Sequence, residues 1–510
     1  MYIEEVVAQQ AVELTGFGKF NIKAGIVGAL IYLNCAFCIT SVGFIIPTAA
    51  CDFKMSTIEK GHLNAAPMMG MVLGSTVWWY MADLKGRKTT ILIALAMQFL
   101  ADMIASFVPN YTTLLLLKLL SGIGFTGQLS VIFPYVGEFQ PTSYRHQVLS
   151  CMEFFWAIGI IAVSLLAWLL IPMRLEYTAF SAFSSSWRFF VLMSALPGLF
   201  TAIWLLTMPD TPKYLAETGQ SHKLLKVLTR MFVENTGKTD KQFWEQLATS
   251  QNASISQLVS TTVMAPSQEI PKVKPSALKK ERLKELLNNS KIQARALLRK
   301  PFTKRLCVTS LSMFFMTSTY YSLMTWFPEL FQRFATYEVA FPNESASVCS
   351  ISAKLSAAAA NLNETFNSLI DPFGCDSEID VSVYVNSIWL GASCFPGAIL
   401  LPLTVSRVGY KTYLMLTSSI SCAVTLGFFF VETSTQNLIL SCIFEALTSL
   451  GISVIFCLLV ELFPTNLRVM ATAITLFIAR FGSLFGNMLF GYLIDSYCTL
   501  LILLMAGQLF

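Results

Sequence analysis

Apolar residues fall in long runs separated by short polar breaks. A helix needs roughly 20 mostly apolar residues to cross the hydrocarbon core of a bilayer. Runs of that kind lie near 26–49, 62–82, 89–108, 113–136, 147–171 and 188–208, then near 306–327, 383–405, 411–431, 436–459, 468–493 and 496–510. The pattern predicts an all-α membrane protein of twelve transmembrane helices in two six-helix bundles. It divides the chain into an N-terminal segment over 1–25, a first bundle over 26–208, a linker over 209–305 and a second bundle over 306–510 that includes a polar loop over 329–383. The last run is short and stops at Phe510, so the final helix is expected to be trimmed or to sit shallowly. Met1 to Lys23 has no apolar core, so no cleavable leader is expected, and Ile26 to Ala49 is too long to be one.

The polar breaks repeat. Glu138-Phe139-Gln140-Pro141-Thr142-Ser143-Tyr144-Arg145 recurs as Glu461-Leu462-Phe463-Pro464-Thr465-Asn466-Leu467-Arg468, with Glu, Pro, Thr and Arg in register. The displacement that carries Glu138 to Glu461 also carries Asp83-Leu84-Lys85-Gly86-Arg87-Lys88 onto Ser406-Arg407-Val408-Gly409-Tyr410-Lys411. Two loops sharing one displacement imply a duplicated bundle, with the copies running parallel.

Composition excludes several alternatives. The chain is 55% hydrophobic and 13% charged, with a mean hydropathy of +0.61. A soluble domain carries about 25% charge. The net charge of +5 is too small and too dispersed for a nucleic-acid surface. Lys and Arg instead report orientation: 17 of the 35 lie between Pro209 and Lys304, whereas Glu329 to Val383 holds two against eight Asp and Glu. Both termini and the linker are therefore expected in the cytosol, and the 329–383 loop on the lumenal or extracellular side.

That loop carries the acceptor triplets Asn343-Glu344-Ser345 and Asn363-Glu364-Thr365. Asn343 and Asn363 are expected to be glycosylated, and Cys349 and Cys375, in the same oxidising space, are the candidate disulfide. Asn110 begins a third triplet in a tight turn at the bilayer and is expected to stay unmodified, and Asn252 lies on the cytosolic side. Most other cysteines lie in apolar runs and read as packing residues. Three histidines and no Cys/His spacing leave no metal site to expect, and no cofactor. Ala277 to Lys300 reads as a basic amphipathic helix. It either binds anionic lipid heads or presents a solvated face.

In Asp83-x-x-Gly86-Arg87-Lys88, Gly86 permits a tight reversal and the basic pair fixes its side. Asp83 is expected to accept hydrogen bonds from a neighbouring helix start near Arg468, latching the halves together. With Gly74 before it, this motif resembles the loop signature of the major facilitator superfamily. Lys118-x-x-x-Gly122-x-Gly124-x-x-Gly127 is similar to the family's fourth-helix pattern, and Pro209-Asp210-Thr211-Pro212-Lys213-Tyr214-Leu215 to the motif after helix six. Ser186-Trp187-Arg188, Tyr320-Tyr321, Thr325-Trp326-Phe327-Pro328 and the long acceptor-bearing loop resemble the synaptic vesicle glycoprotein 2 group, which stands beside the sugar porters and organic ion transporters. The resemblance implies a twelve-helix carrier in the plasma membrane or a secretory or synaptic-type vesicle. The chain departs from that group at Cys35 and Cys38, where the group is acidic, and at Ile452 and Phe456, where it has Trp and Asp. Its loop is also much shorter. The group's ligand site is therefore not carried over.

A charge inside a span costs at least ~2.5 kcal/mol to insert and tends to face a cavity. Glu153, Glu445 and Arg480 are such charges. Arg480 resembles the buried arginine of organic ion transporters. Three readings stand: Glu445 neutralises Arg480, the charges bind substrate or a proton, or they sit peripherally. Trp78, Trp79, Phe125, Trp156, Tyr320, Tyr321 and Trp326 are candidate cavity aromatics, with Tyr320 and Tyr321 on the helix that the resemblance places at the cavity. The substrate-site candidates are Arg480, Glu445, Glu153, Tyr320, Tyr321 and Trp156. The gating candidates are Asp83, Gly86, Arg87, Lys88, Glu138, Arg145, Glu461 and Arg468.

No nucleophile, base and metal set points to an enzyme, and no ATP-binding signature is present. The expectation is a monomeric secondary or facilitative carrier of a small organic solute, with a coupling ion admitted. The alternative is a transport-poor vesicle glycoprotein acting in recognition or regulation.

Overall fold

The computed structural model describes residues 5–173, 185–249, 288, 291–341, 347–354 and 379–510. Every predicted run lies on a helix. The first half comprises α1 (Lys19–Phe53), α2 (Thr57–Lys85), α3 (Arg87–Ala105), α4 (Tyr111–Gly137), α5 (Thr142–Leu170) and α6 (Ser186–Leu206). The second comprises α7 (Phe302–Ala340), α8 (Val381–Ala392), α9 (Cys394–Val408), α10 (Tyr410–Gly427), α11 (Ser434–Leu462), α12 (Thr465–Leu493) and α13 (Cys498–Leu509). The run near 383–405 is thus two helices, broken at Ser393. Nine helices among the described residues are long and apolar enough to cross a membrane by length and composition. Of the remaining three spans, α2 and α7 are rich in small and polar residues that face other helices, and α13 is short.

Local chemistry sets the ends. Ser56 and Glu59 form a reciprocal capping box at the start of α2. Asn110 caps α4 by accepting from the Thr113 amide at 3.1 Å. Gly86 and Gly409, at matching places in the two copies, have φ of +95° and +81° and separate consecutive helices. The repeat seen in the sequence is therefore a repeat in backbone conformation.

The ends of the molecule differ. Asp495, Lys60, Glu329 and Arg333 gather at one end, with the Cys349–Cys498 disulfide. Asp83, Arg87, Glu138, Arg145 and, by helix alternation, Arg407 and Arg468 lie at the other. We refer to them as the disulfide end and the basic end.

Three expectations need correction. Cys349 bonds to Cys498, not to Cys375, which lies outside the described residues. The start of α13 comes up beside the 347–354 segment, a meeting that only the folded chain creates. Second, α7 does not stop before Glu329. It continues through Pro328 to Ala340, because Glu329 and Arg333 are buried and ion-paired rather than in a loop. Third, the 209–305 linker begins as folded structure. Helices over Pro212–Glu217, Ser221–Thr236 and Asp240–Ala248 pack Leu224, Leu228, Phe232 and Phe243 against the first half. Asn235 seals this junction, donating to the carbonyls of Thr15 and Gly16 and accepting from the Phe20 amide. An amphipathic helix, Glu5–Leu14, lies alongside. Asn343, Asn363, Asn252 and most of 277–300 lie outside the described residues.

Candidate functional site

The site is assembled from both halves, near the middle of the spans. From α12, Arg480 donates to the Ser75 hydroxyl of α2 and, at 2.7 Å, to the Ser130 hydroxyl of α4. The guanidinium is buried and is held by neutral hydroxyls of the opposite half. From α5, the Trp156 indole donates to the Tyr320 hydroxyl of α7 at 3.2 Å. Tyr320 and Tyr321 meet edge to face at 5.1 Å, and Tyr32 of α1 lies 5.2 Å from Trp156. Tyr32 donates to Glu153 at 3.2 Å. Tyr321 stands within electrostatic reach of Arg480, Cys35 and Glu153.

Trp156, Tyr320, Tyr321 and, through Tyr32, Glu153 are thus linked across the seam, and Arg480 crosses it separately to Ser75 and Ser130. Glu445 lies behind Tyr320, fully buried. Tyr320 is its polar neighbour, but among the described residues no group bonds either carboxylate oxygen. The Glu445–Arg480 ion pair admitted by the sequence does not form: Arg480 turns to the first half and Glu445 stays in the second. Of the other aromatics, Trp78 donates to the Ile123 carbonyl and Trp326 packs on Phe490, while Phe125 is buried in the first half's core. These three are packing residues.

The gating candidates also sort by half. Arg87 reaches Asp83 and Glu138, each at 3.2 Å, and lies over the Tyr214 ring. Lys88 donates to the Leu206 carbonyl at 2.9 Å. Arg145 donates to the Gly137 carbonyl and to Gln9. A Cβ at Gly86 would lie 2.8 Å from the Tyr214 ring, so only glycine fits this tight packing. Burial pushes the nearby Asp210 and Glu217 carboxyls above their usual range. Asp83 is therefore satisfied within its own half and does not latch onto Arg468. In the second copy, Ser406 and Tyr410 replace Asp83 and Arg87, so the cluster is not repeated. Glu461 is exposed, and Arg468 leaves its Nε unpaired. Among the described residues, no ion pair or hydrogen bond joins the halves at the basic end.

The disulfide end is closed. Lys60 meets Glu329 at 2.7 Å, and Arg333 joins Glu329 and Asp495 at 3.2 and 2.7 Å. Below this layer Asn64 donates to Thr325, which donates to Asn487, at 2.9 and 3.0 Å. Gly61 and Gly491 touch backbone to backbone. The sequence reading missed this lock, because its charges stand far apart along the chain. It also missed Asp102, which is buried in the first half and receives Lys118 and Ser121, both at 2.9 Å. The signal was available: Lys118, deep in α4, required a counter-charge.

The chain has relatives on both counts, sequence and structure. Residues 17–268 match the family described as sugar (and other) transporter. Synaptic vesicle glycoprotein 2A of Rattus norvegicus is 35% identical over 196 residues, 38% of this chain and 26% of that protein. Synaptic vesicle glycoprotein 2C of the same species is 32% identical over 248 residues, 47% of this chain and 34% of that protein. The matched region is about a third or less of these relatives. The inward open xylose transporter XylE from E. coli superposes with a TM-score of 0.64 at 15% identity, over 96% of this chain and 94% of that one. The nucleoside transporter NupG superposes with a TM-score of 0.58 at 14% identity, over 96% and 97%. The fold is that of these solved transporters, and the sequence matches fall in the sugar transporter family and the vesicle glycoproteins that the motifs resemble.

Proposed function

We propose that this chain, which has the fold of solved transporters and whose residues 17–268 match the sugar (and other) transporter family, carries a small organic solute across a membrane by alternating access. One observation carries the reading: a buried cation, Arg480, spans the seam between the halves and, among the described residues, is held by two serine hydroxyls alone. A guanidinium satisfied by serines retains its full charge, so a carboxylate or other anionic group on a solute has a partner waiting. Tyr321, Trp156 and Tyr320 supply flat surfaces and hydroxyls around it. The closed disulfide end and the unbridged basic end correspond to one of the two states such a carrier alternates between. The basic loops favour a cytosolic basic end, and the disulfide at the opposite end fits an oxidising compartment.

Uptake into proteoliposomes across a panel of anionic, neutral and cationic organic solutes tests the reading. The parent chain should move at least one anionic solute, and Arg480→Ala should lower that uptake at least ten-fold. Arg480→Lys should recover part of it, because it keeps the charge and loses the fork. Equal uptake by parent and Arg480→Ala would overturn the assignment.

A further inference from the structure

The second half holds a row of polar groups that neither the fold nor the seam uses. Asn437, Ser441 and Glu445 lie at i, i+4 and i+8 of α11, on one face of the helix. All three are fully buried. Among the described residues, both polar atoms of the Asn437 amide, the Ser441 hydroxyl and both Glu445 oxygens have no hydrogen-bond partner. Buried polar atoms are almost always bonded to protein or to ordered water. Five orphaned atoms in one row, in a helix otherwise densely packed with Phe444 and Leu459, are not scattered defects.

The row has a direction. Asn437 lies in the first turn of α11, at the disulfide end, and Glu445 lies behind Tyr320 beside the seam. A helix rises 1.5 Å per residue, so the row is about 12 Å long. That is too long for one metal ion, whose oxygen ligands all lie within about 2.6 Å of it. It suits a file of waters. The amide and the hydroxyl each donate and accept, so a water file between them can reorient as a proton passes.

We propose that Asn437, Ser441 and Glu445 line a hydrated shaft through the second half, along which protons reach Glu445 from the disulfide end while the seam there is shut. This rests on the transport reading and adds to it a proton that the rocking halves carry whether or not solute is bound. The Glu445 carboxylate takes one proton from the file and returns it to water once the halves have rocked. No electron moves. The titratable groups facing Glu445 are Tyr320 and Tyr321 of α7, Cys394 of α9 and Cys442 of α11. Among the described residues, no cation pairs with it.

The test is thiol labelling of the full chain in detergent with 2-aminoethyl methanethiosulfonate, a small cation excluded from apolar surroundings, with the labelled residue identified by mass spectrometry. Ser441→Cys should react at least ten-fold faster than Ile443→Cys, whose parent residue is exposed on the outer face of the same helix. Adding Asn437→Leu should slow Ser441→Cys at least ten-fold. Size-exclusion profiles and an intact Cys349–Cys498 bond report folding. Equal labelling at 441 and 443, or no effect of Asn437→Leu, would overturn the shaft. In proteoliposomes with an entrapped pH dye, Glu445→Gln should slow collapse of a proton gradient at least ten-fold, and equal rates would overturn the proton assignment. Neither readout needs a solute, so a failed uptake panel leaves both results standing.

Discussion

Gly61→Trp is expected to hold the disulfide end open. A Cβ built on Gly61 would lie 2.8 Å from the Gly491 Cα, and one on Gly491 would lie 2.7 Å from the Gly61 Cα. Backbones approach this closely only where both residues lack side chains. An indole has no room there, so α2 and α12 must separate at that end. The Lys60–Glu329 bridge and the His62–Tyr492 contact, one residue away on either side, open with them. Thiol labelling of Asn64→Cys, buried beneath the lock, should then rise at least ten-fold, and steady solute uptake should fall by a similar factor. Gly61→Ala should have a much smaller effect on both. Unchanged labelling in the tryptophan variant would show that closure does not depend on this contact.

The second large effect is on stability. Asp102→Ala leaves the Lys118 ammonium buried beside Ser121 with no counter-charge. Removing one partner of a buried pair typically costs about 3–5 kcal/mol, whereas replacing both with apolar residues is often neutral. Asp102→Ala should therefore fail to accumulate or melt well below the parent in detergent. Asp102→Ala combined with Lys118→Met should recover most of the loss. Thermal unfolding followed by tryptophan fluorescence checks both. A double variant no better than the single one would mean that the pair holds the packing by geometry rather than by charge.

The fold was legible because membrane insertion writes itself into sequence. Apolar runs and basic loops marked the spans and their order, and the recurring Glu-x-x-Pro-Thr-x-x-Arg loops marked the duplication. Three intramembrane charges were also visible, since each is anomalous: Glu153, Glu445 and Arg480 all lie at or beside the seam, whereas the Asp102–Lys118 pair was overlooked. What the sequence does not record is the choice of partner. Arg480 selected Ser75 and Ser130 rather than Glu445, because the halves pack so that α12 faces α2 and α4. Asp83 selected Arg87 on the next helix rather than Arg468 across the seam. Cys349 reached Cys498, 149 residues away along the chain, instead of a cysteine in its own loop. Each of these is a long-range consequence of helix packing, where hydropathy and motif spacing carry no information. The lock of Lys60, Glu329, Arg333 and Asp495 was hidden for the same reason.

The asymmetry between ends gives the account its physical content. Salt bridges, a hydroxyl–amide chain and a glycine contact shut one end, while at the other Asp83, Arg87 and Glu138 pair within the first half and Arg468 leaves its Nε unpaired. A carrier must be able to exchange these conditions, with Arg480 remaining between the halves throughout.

The most direct test is a pair of distances measured by double electron–electron resonance in the same preparation, with exposed Cys151 and Cys307 replaced by serine. One pair of spin labels sits at the disulfide end, at positions 58 and 492, and the other at the basic end, at positions 144 and 408. All four parent side chains are exposed. The account predicts two populations at each end, and Gly61→Trp should lengthen the disulfide-end distance while shortening the basic-end distance. A single distance at each end, or two ends that change independently, would contradict it.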